Sequence, residues 1–208
     1  MKRYTILCLL MLSVTVGRTY GQQKNDGLKM ISKFGSDTQE LFHLLRFEGV
    51  DYYKIDFTGK ELKNKTYRLS VKEIWDGKIK SDTIVFNSKD MAKMGMDKVN
   101  DTTLALSVIS KLTSKNKIKI SFMFPRFSVT KEYDALANDD YSLRNLADES
   151  KLEIGYGKKF HFMAMILPFE RADGSKSWCD IGSSGNDVEN WGKKFGIKHY
   201  LLFEMQIE

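Results

Sequence analysis

Apolar and polar residues alternate with a period of two along much of the chain after residue 50, which is typical of β-strands with one buried face. The runs 53–57 and 67–72 both show this alternation. Asp76 and Gly77 follow the second run, and a returning run covers 78–87. Asp-Gly between two alternating runs is a strong hairpin signal, because both turn positions adopt positive φ. The sequence therefore predicts a hairpin over 67–87.

A second hairpin is predicted between residues 104 and 124. Apolar residues alternate over 104–108 and again over 118–124, and the Ser-Lys-Asn segment at 114–116 has the composition of a turn. Pro125 lacks a backbone N–H, so we expect the second strand to end there or to lie at a sheet edge.

Two later segments are also predicted to be strands. Residues 160–169 are apolar on both faces, which suits a strand covered on both sides. Residues 199–208 alternate and predict a strand with a partly polar outer face. Helices are few and short: residues 36–39 and 186–189 have capping-box spacing, and a single turn is expected after Ser88.

These elements predict a mostly β fold, an antiparallel β-sandwich with two or three short helices. An α+β sheet with helices at one end is the alternative. The 208-residue chain is 42% hydrophobic and 29% charged, which excludes a collagen, a coiled coil, a low-complexity chain and a polytopic membrane protein. No repeat, linker or shift in composition interrupts it, so residues 22–208 are predicted to form a single globular β-rich domain.

Residues 1–21 have the layout of a secretory signal peptide. Lys2 and Arg3 precede an apolar run at 6–16, and Gly21 provides a small residue at the expected cleavage point. The run is 11 residues long, and a spanning helix needs about 20. A short uncleaved anchor is the alternative. We expect cleavage before Gln22, a secreted or periplasmic protein, and no transmembrane segment in the mature chain.

Removal of the leader changes the charge and the cysteine content. The leader holds three basic residues and no acidic one, so the net charge falls from +6 to +3. The remaining basic residues are interleaved with acidic ones, apart from four lysines within 111–119 that suit a solvated turn. A nucleic-acid partner is therefore not expected. Cys179 remains as the single cysteine, which excludes an internal disulfide.

Catalytic and cofactor motifs are absent from the sequence. There is no Walker A loop, dinucleotide-binding glycine motif, nucleophile elbow or zinc-protease motif. His43, His161 and His199 are too far apart to form a recognisable ligand set, so no metal site, cofactor or catalytic residue is assigned. A Cys179–His161 dyad or a pair among the scattered acids, including those at 132–149, is the remaining route to a hydrolase.

Two tryptophans are candidate ligand-binding residues. Trp75 precedes the Asp-Gly turn, and Trp178 follows a polar loop at 173–177. Exposed aromatic rings next to turns can stack on a sugar or clamp a peptide, although packing over the core is the alternative for each. Trp191 is more simply a core residue.

The chain resembles small exported proteins of unknown function from gut Bacteroidetes. The resemblance lies in the leader ending Thr19-Tyr20-Gly21-Gln22, the Lys72–Gly77 segment and the strand-rich close at 199–208. It implies a secreted or periplasmic domain with no assigned activity and carries over no catalytic residue. We therefore expect an exported, non-enzymatic module that binds an extracytoplasmic ligand or protein, with a glycan or a peptide as the ligand class. The alternative is a hydrolase with an unrecognised acid-pair or Cys/His site.

Overall fold

Two five-stranded antiparallel sheets make up most of the computed structural model, which describes residues 27–149, 152–178 and 187–208. The predicted leader and Cys179 lie outside these described residues. The order of strands in the first sheet, sheet A, is β1 (Lys29–Phe34), β2 (Val50–Thr58), β5 (Thr103–Leu112), β6 (Lys117–Met123) and β7 (Ser128–Asp134). The order in the second, sheet B, is β4 (Lys78–Asn87), β3 (Tyr67–Trp75), β12 (His199–Ile207), β9 (Lys159–Ile166) and β8 (Ser142–Asn145).

The remaining elements are short. Strands β10 (Phe169–Glu170) and β11 (Lys176–Ser177) form a small separate ladder. The helices are α1 (Gln39–Phe47), α2 (Leu146–Glu149) and α3 (Trp191–Phe195), and Ser88–Met94 and Val188–Asn190 are 3-10 helices. None of the helices in the described ranges has the length and apolar character needed to cross a membrane. The prediction of a mostly β antiparallel sandwich with short helices is confirmed, and the α+β alternative is not adopted.

The inner faces of the two sheets share one hydrophobic core. Phe57 of β2 packs edge-to-face against Phe160 and Phe162 of β9, with ring centroids 5.8 and 5.7 Å apart. Phe122 of β6 meets Phe203 of β12 in the same way at 5.3 Å. These contacts place alternate residues of both sheets in the space between them, as the period-two pattern requires.

Both predicted hairpins are present. Strands β3 and β4 are joined by Asp76 and Gly77, whose φ values of 47° and 70° are those of a type I′ turn. Strands β5 and β6 also pair directly. Pro125 follows the end of β6 and lies in the short connection to β7, closed by the Phe124 N–H donating to the Phe127 carbonyl (2.9 Å).

The helix ends differ in part from the expectation. The predicted capping box starts at Ser36, but the N-cap of helix α1 lies two residues later, at Thr38, which makes no side-chain cap bond. Its own N–H instead donates to Ser36 Oγ at 3.2 Å. Helix α3 ends at Gly196, whose φ is 68°.

The outer face of sheet B is covered by the chain around α3. The Tyr200 hydroxyl of β12 donates to the Glu189 carbonyl (2.8 Å) and accepts from the Gly192 N–H (3.3 Å). As a result every residue of β12 except Gln206 is buried, including Leu202 and Glu204 of the predicted, partly polar outer face. The covered strand β9 lies beside β12, one position from the edge strand β8.

Candidate functional site

Four chain segments meet at the end of sheet B where β3 finishes, and they enclose a cleft of about 510 Å³. We call this the loop-end cleft. Its apolar walls come from Leu136, Ala137, Leu167, Pro168, Phe195, Gly196 and Ile197, and its polar groups from Asn138, Asp140, Glu170, Lys176 and Lys198. The segments are far apart in the sequence, and the ends of β7, β9 and α3 bring them together. The volume lies in the range usual for ligand sites.

The charged side chains of the loop-end cleft balance one another. Lys176 donates a hydrogen bond to Asp140, and this bond raises the pKa of the lysine. Glu170 lies opposite Lys176 in the ladder between β10 and β11, and Lys198 supplies the second positive charge. With two carboxylates and two ammonium groups, the cleft has no net charge and offers both hydrogen-bond acceptors and donors. This arrangement favours a polar ligand without net charge.

Trp75 is half-buried beside this end of the sandwich. The indole ring stacks on the His199 imidazole with centroids 4.0 Å apart, and its Nε1–H donates to Glu73 (2.6 Å). The next residue, Asp76, donates its N–H to the carbonyl of Lys198, a residue of the cleft wall (2.7 Å). Trp75 is therefore held by its neighbours, next to the cleft.

His199 is fully buried behind Trp75. Its Nδ1 lies 2.6 Å from the Tyr141 hydroxyl, whereas Nε2 is 3.8 Å from Glu73 and has no hydrogen-bond partner in the part of the chain that the structure describes. Burial lowers the pKa of His199 to about 4, outweighing the opposing effect of Glu73. The imidazole is therefore neutral at pH 7 and forms a rigid support for the tryptophan ring.

Trp178 directly follows β11, two residues after Lys176 of the cleft, and lies beside β8 at the edge of sheet B. Its ring packs against the core, with the Arg144 guanidinium of β8 5.0 Å from the ring centroid. Its Nε1–H is buried and has no acceptor among the described residues. No ring contact between Trp75 and Trp178 occurs within the described ranges, because one packs on β12 and the other beside β8. Both tryptophans are half-buried, and their role in ligand binding stays a prediction.

A second polar cluster, the His161 cluster, lies on the outer face of sheet B. It consists of Lys72, His161, Glu189 and Glu204. Lys72 Nζ is 2.5 Å from Glu189 Oε1 and 2.9 Å from Glu204 Oε1. The His161 ring lies between the same two carboxylates, 3.6 Å from each. Burial lowers the pKa of His161, despite these two acids.

His161, Glu189 and Glu204 of the His161 cluster are residues of the types that commonly bind a metal ion. Their ligand atoms lie within 4.8 Å of one another. The Lys72 ammonium, however, contacts the same two carboxylate oxygens that a metal ion would need. A cation therefore already compensates the carboxylates, and the cluster acts as an ion network that fixes the 187–190 segment to the sheet.

The same geometry disfavours Glu189 and Glu204 as a catalytic acid pair. A glycosidase needs one carboxyl group with a raised pKa to act as the acid. Burial would raise the pKa of Glu204, but the hydrogen bond and charge of Lys72 outweigh it and lower the pKa. Glu204 is thus held as a carboxylate, which cannot donate a proton.

Sequence reasoning missed both polar clusters, because strand pairing between distant segments assembles them. Glu204 pairs with Ser70 on one side and with His161 on the other. The expected acid-rich segment at 132–149 contributes Asp140 to the cleft, while His43 is exposed on α1. Trp191 is buried, as predicted. A comparison of the chain with family models, curated proteins and solved structures finds no match.

Proposed function

We propose that this protein is an exported, non-enzymatic binding module that holds a glycan or peptide segment in the loop-end cleft. One observation carries the proposal: a cleft of about 510 Å³ combines apolar walls with a balanced set of acidic and basic side chains. Hydroxyl and amide groups both donate and accept hydrogen bonds, so sugars and peptide backbones can use both kinds of partner. Neither requires a net charge in the site.

The walls of the cleft suit the apolar part of such a ligand. Phe195 lines the cleft and contacts Phe169 of β10, with ring centroids 5.5 Å apart. A ring held by a neighbour loses little freedom on binding, which favours stacking against a sugar face or an apolar side chain. Trp75 and Trp178 are retained as proposed further contacts, the first through its position beside Lys198.

Export is the second part of the proposal and is supported by the layout of residues 1–21. Expression with the native leader should yield a secreted or periplasmic protein whose first residue is Gln22. Intact-mass measurement of the exported protein checks this. Retention of residues 1–21 would contradict it and would indicate an anchor.

Binding is tested on glycan and peptide arrays, followed by calorimetric titration of the best hit. Asp140→Asn and Lys176→Gln each remove one charge of the Asp140–Lys176 pair. Either change should weaken binding about tenfold or more, because the ligand loses a hydrogen-bond partner or the remaining charge of the pair loses its counter-charge. Lys115→Gln, in the turn between β5 and β6, is the matched control and should bind normally. Trp75→Phe and Trp178→Phe test the two tryptophans in the same titration.

Two outcomes would contradict the proposal. Arrays without a hit for the folded protein would remove the binding function. Release of a cleaved product from a bound glycan or peptide, detected by mass spectrometry, would favour the hydrolase alternative.

A further inference from the structure

Four aromatic rings cluster at the other end of sheet B, where β3 begins. Tyr67 contacts Phe86 and Phe124 with centroids 5.6 and 5.4 Å apart. Phe127 stacks on Phe124 at 4.7 Å and lies 4.6 Å from Phe86. Since Tyr67 starts β3 and Trp75 ends it, this cluster is separated from the loop-end cleft by the length of the strand.

A cavity of about 160 Å³ opens against these rings. We call it the aromatic pocket. Tyr67, Phe124 and Phe127 line it together with Val99 and Leu104, while Lys98, Asp101 and Arg126 lie at its edge. The three aromatic rings and two aliphatic side chains provide the surface that a flat apolar group needs.

One polar group of the aromatic pocket lacks a partner. Tyr67 is only 6% exposed. Its backbone N–H donates to Ser88, whereas its hydroxyl has no hydrogen-bond partner among the described residues. Burial raises the pKa of Tyr67 to about 12, so the hydroxyl keeps its proton and is available as a donor. The hydroxyl oxygen is not sealed inside the core, so an oxygen atom of a ligand can reach it and accept its hydrogen bond.

The charge at the edge of the pocket is positive. Lys98 and Arg126 are exposed and form no ion pair within the described part of the chain, and Arg126 is near enough to Tyr67 for its charge to oppose the rise in the pKa of that hydroxyl. The carboxylate of Asp101 accepts hydrogen bonds from the neighbouring Thr102, including its N–H at 2.7 Å. Two cations against one anion favour a negatively charged ligand.

We propose that the aromatic pocket binds a small aromatic carboxylate. The ring of the ligand packs on Phe124 and Phe127, and its carboxylate accepts hydrogen bonds from the Tyr67 hydroxyl and the Arg126 guanidinium. This site is independent of the loop-end cleft and of the function proposed for it. Charge-assisted bonds from a guanidinium and a phenol to one carboxylate set the selectivity.

Phenylacetate and phenethylamine are matched probes, because they share an aromatic skeleton and carry opposite charges. Each is titrated into the full folded protein while methyl NMR signals of Val99 and Leu104 are followed. We expect saturable shifts with phenylacetate and an affinity for phenethylamine at least about tenfold lower. Arg126→Gln should weaken phenylacetate binding about tenfold and remove the preference for the anion. Tyr67→Phe, which removes only the hydroxyl, should weaken it by a smaller factor.

Lys115→Gln removes an exposed charge far from the pocket and should leave both affinities unchanged. Spectra of each variant without probe establish that it is folded. The proposal is overturned if phenylacetate gives no saturable shift at Val99 and Leu104. It is also overturned if the preference for the anion persists in Arg126→Gln, or if the shifts appear instead at Leu136 and Ile197 of the loop-end cleft.

Discussion

Ionisable side chains in the centre of sheet B lose most of their water on folding, and their neighbours compensate the loss in different ways. Glu204 keeps its charge, because Lys72, Lys159 and Ser70 surround its carboxylate. His199 instead gives up its charge and accepts or donates a single bond with Tyr141. The two solutions respond differently to substitution and to pH.

Lys72→Met should destabilise the protein by about 3 kcal/mol at pH 7, because it leaves a Glu204 side chain that is 4% exposed without its nearest cation. Loss of Lys72 allows burial to dominate, so the pKa of Glu204 rises above its unfolded value. The stability that the variant lacks at pH 7 is then partly regained as acidification protonates Glu204. Urea unfolding at pH 7 and pH 4 measures both values. The double variant Lys72→Met with Glu204→Gln is the control. It has no carboxyl group at position 204, so its loss of stability should lack the pH-dependent part that comes from Glu204. Equal deficits for the single variant at the two pH values would be inconsistent with this account.

His199 predicts an acid-sensitive loss of stability. Its folded pKa of about 4 lies below the ordinary 6.5, so the folded state binds its proton less readily than the unfolded state. The contribution of His199 to the free energy of unfolding is therefore fully present above pH 6.5 and is lost as the pH falls toward 4. The total change is about 3 kcal/mol. An NMR titration of the imidazole should show a midpoint well below 6.5. The variant His199→Gln, compared with the native chain from pH 7 to pH 5, should lack this part of the acid dependence. A midpoint near 6.5 would disprove the prediction.

Gly77 combines a positive φ with a close neighbour. A Cβ atom there would lie 2.7 Å from Lys193 Cγ and 3.1 Å from Lys193 N, so Gly77→Ala adds a clash with α3 to the cost of the left-handed conformation. We expect a loss of about 2 kcal/mol or more in thermal unfolding. Gly174→Ala is the matched control, since Gly174 has φ 80° and no atom within 4 Å of the added Cβ. That change should cost about 1 kcal/mol. Equal losses in the two variants would argue against the contact with Lys193.

Among the helices that the structure describes, α1 is the only one without a buried residue, and its Leu41, Leu44 and Phe47 are exposed. The apolar residues whose spacing predicted this helix therefore do not all face the core. Phe42 contacts Phe34 with ring centroids 6.2 Å apart, and it lies directly over Gly35. Phe42 therefore packs α1 against the end of β1.

Two substitutions separate the faces of α1. Phe47→Ser, at a side chain that is 86% exposed, should change the free energy of unfolding by less than about 0.5 kcal/mol. Phe42→Ala should cost about 1–2 kcal/mol, because it removes a half-buried ring. Urea unfolding of both variants gives the comparison. A larger loss for Phe47→Ser than for Phe42→Ala would reverse the assignment of the two faces.

The elements that the sequence predicts well are those made by neighbours in the chain. The Asp76–Gly77 turn determines the pairing of β3 with β4 locally, and the same is true of β5 with β6. Cap details are less predictable: Ser36 and Thr38 offer several competing hydrogen bonds to the same few backbone groups.

At the scale of the whole molecule, the order of strands in a sheet is not readable from periodicity. Tyr67 pairs with Ile207, and nothing in either local pattern indicates that partner. The stacking of Trp75 on His199 depends on this long-range register, as does the meeting of Lys72 with Glu204. The sequence therefore predicts the sandwich and its hairpins, whereas the loop-end cleft and the aromatic pocket become visible only in the assembled structure.

Strand β12 follows every other strand of sheet B in the sequence, yet it lies in the middle of that sheet. During synthesis the β3–β4 hairpin and the β8–β9 pair emerge first, but they have no common partner until residues 199–207 have left the ribosome. Non-local pairing of this kind is slow and leaves apolar surface exposed on the nascent chain. Sheet B is therefore completed only at the end of translation, which is compatible with the export proposed for this chain. A ribosome-stalled chain ending at residue 198 should be digested rapidly by protease, whereas one extended by a linker beyond residue 208 should resist digestion.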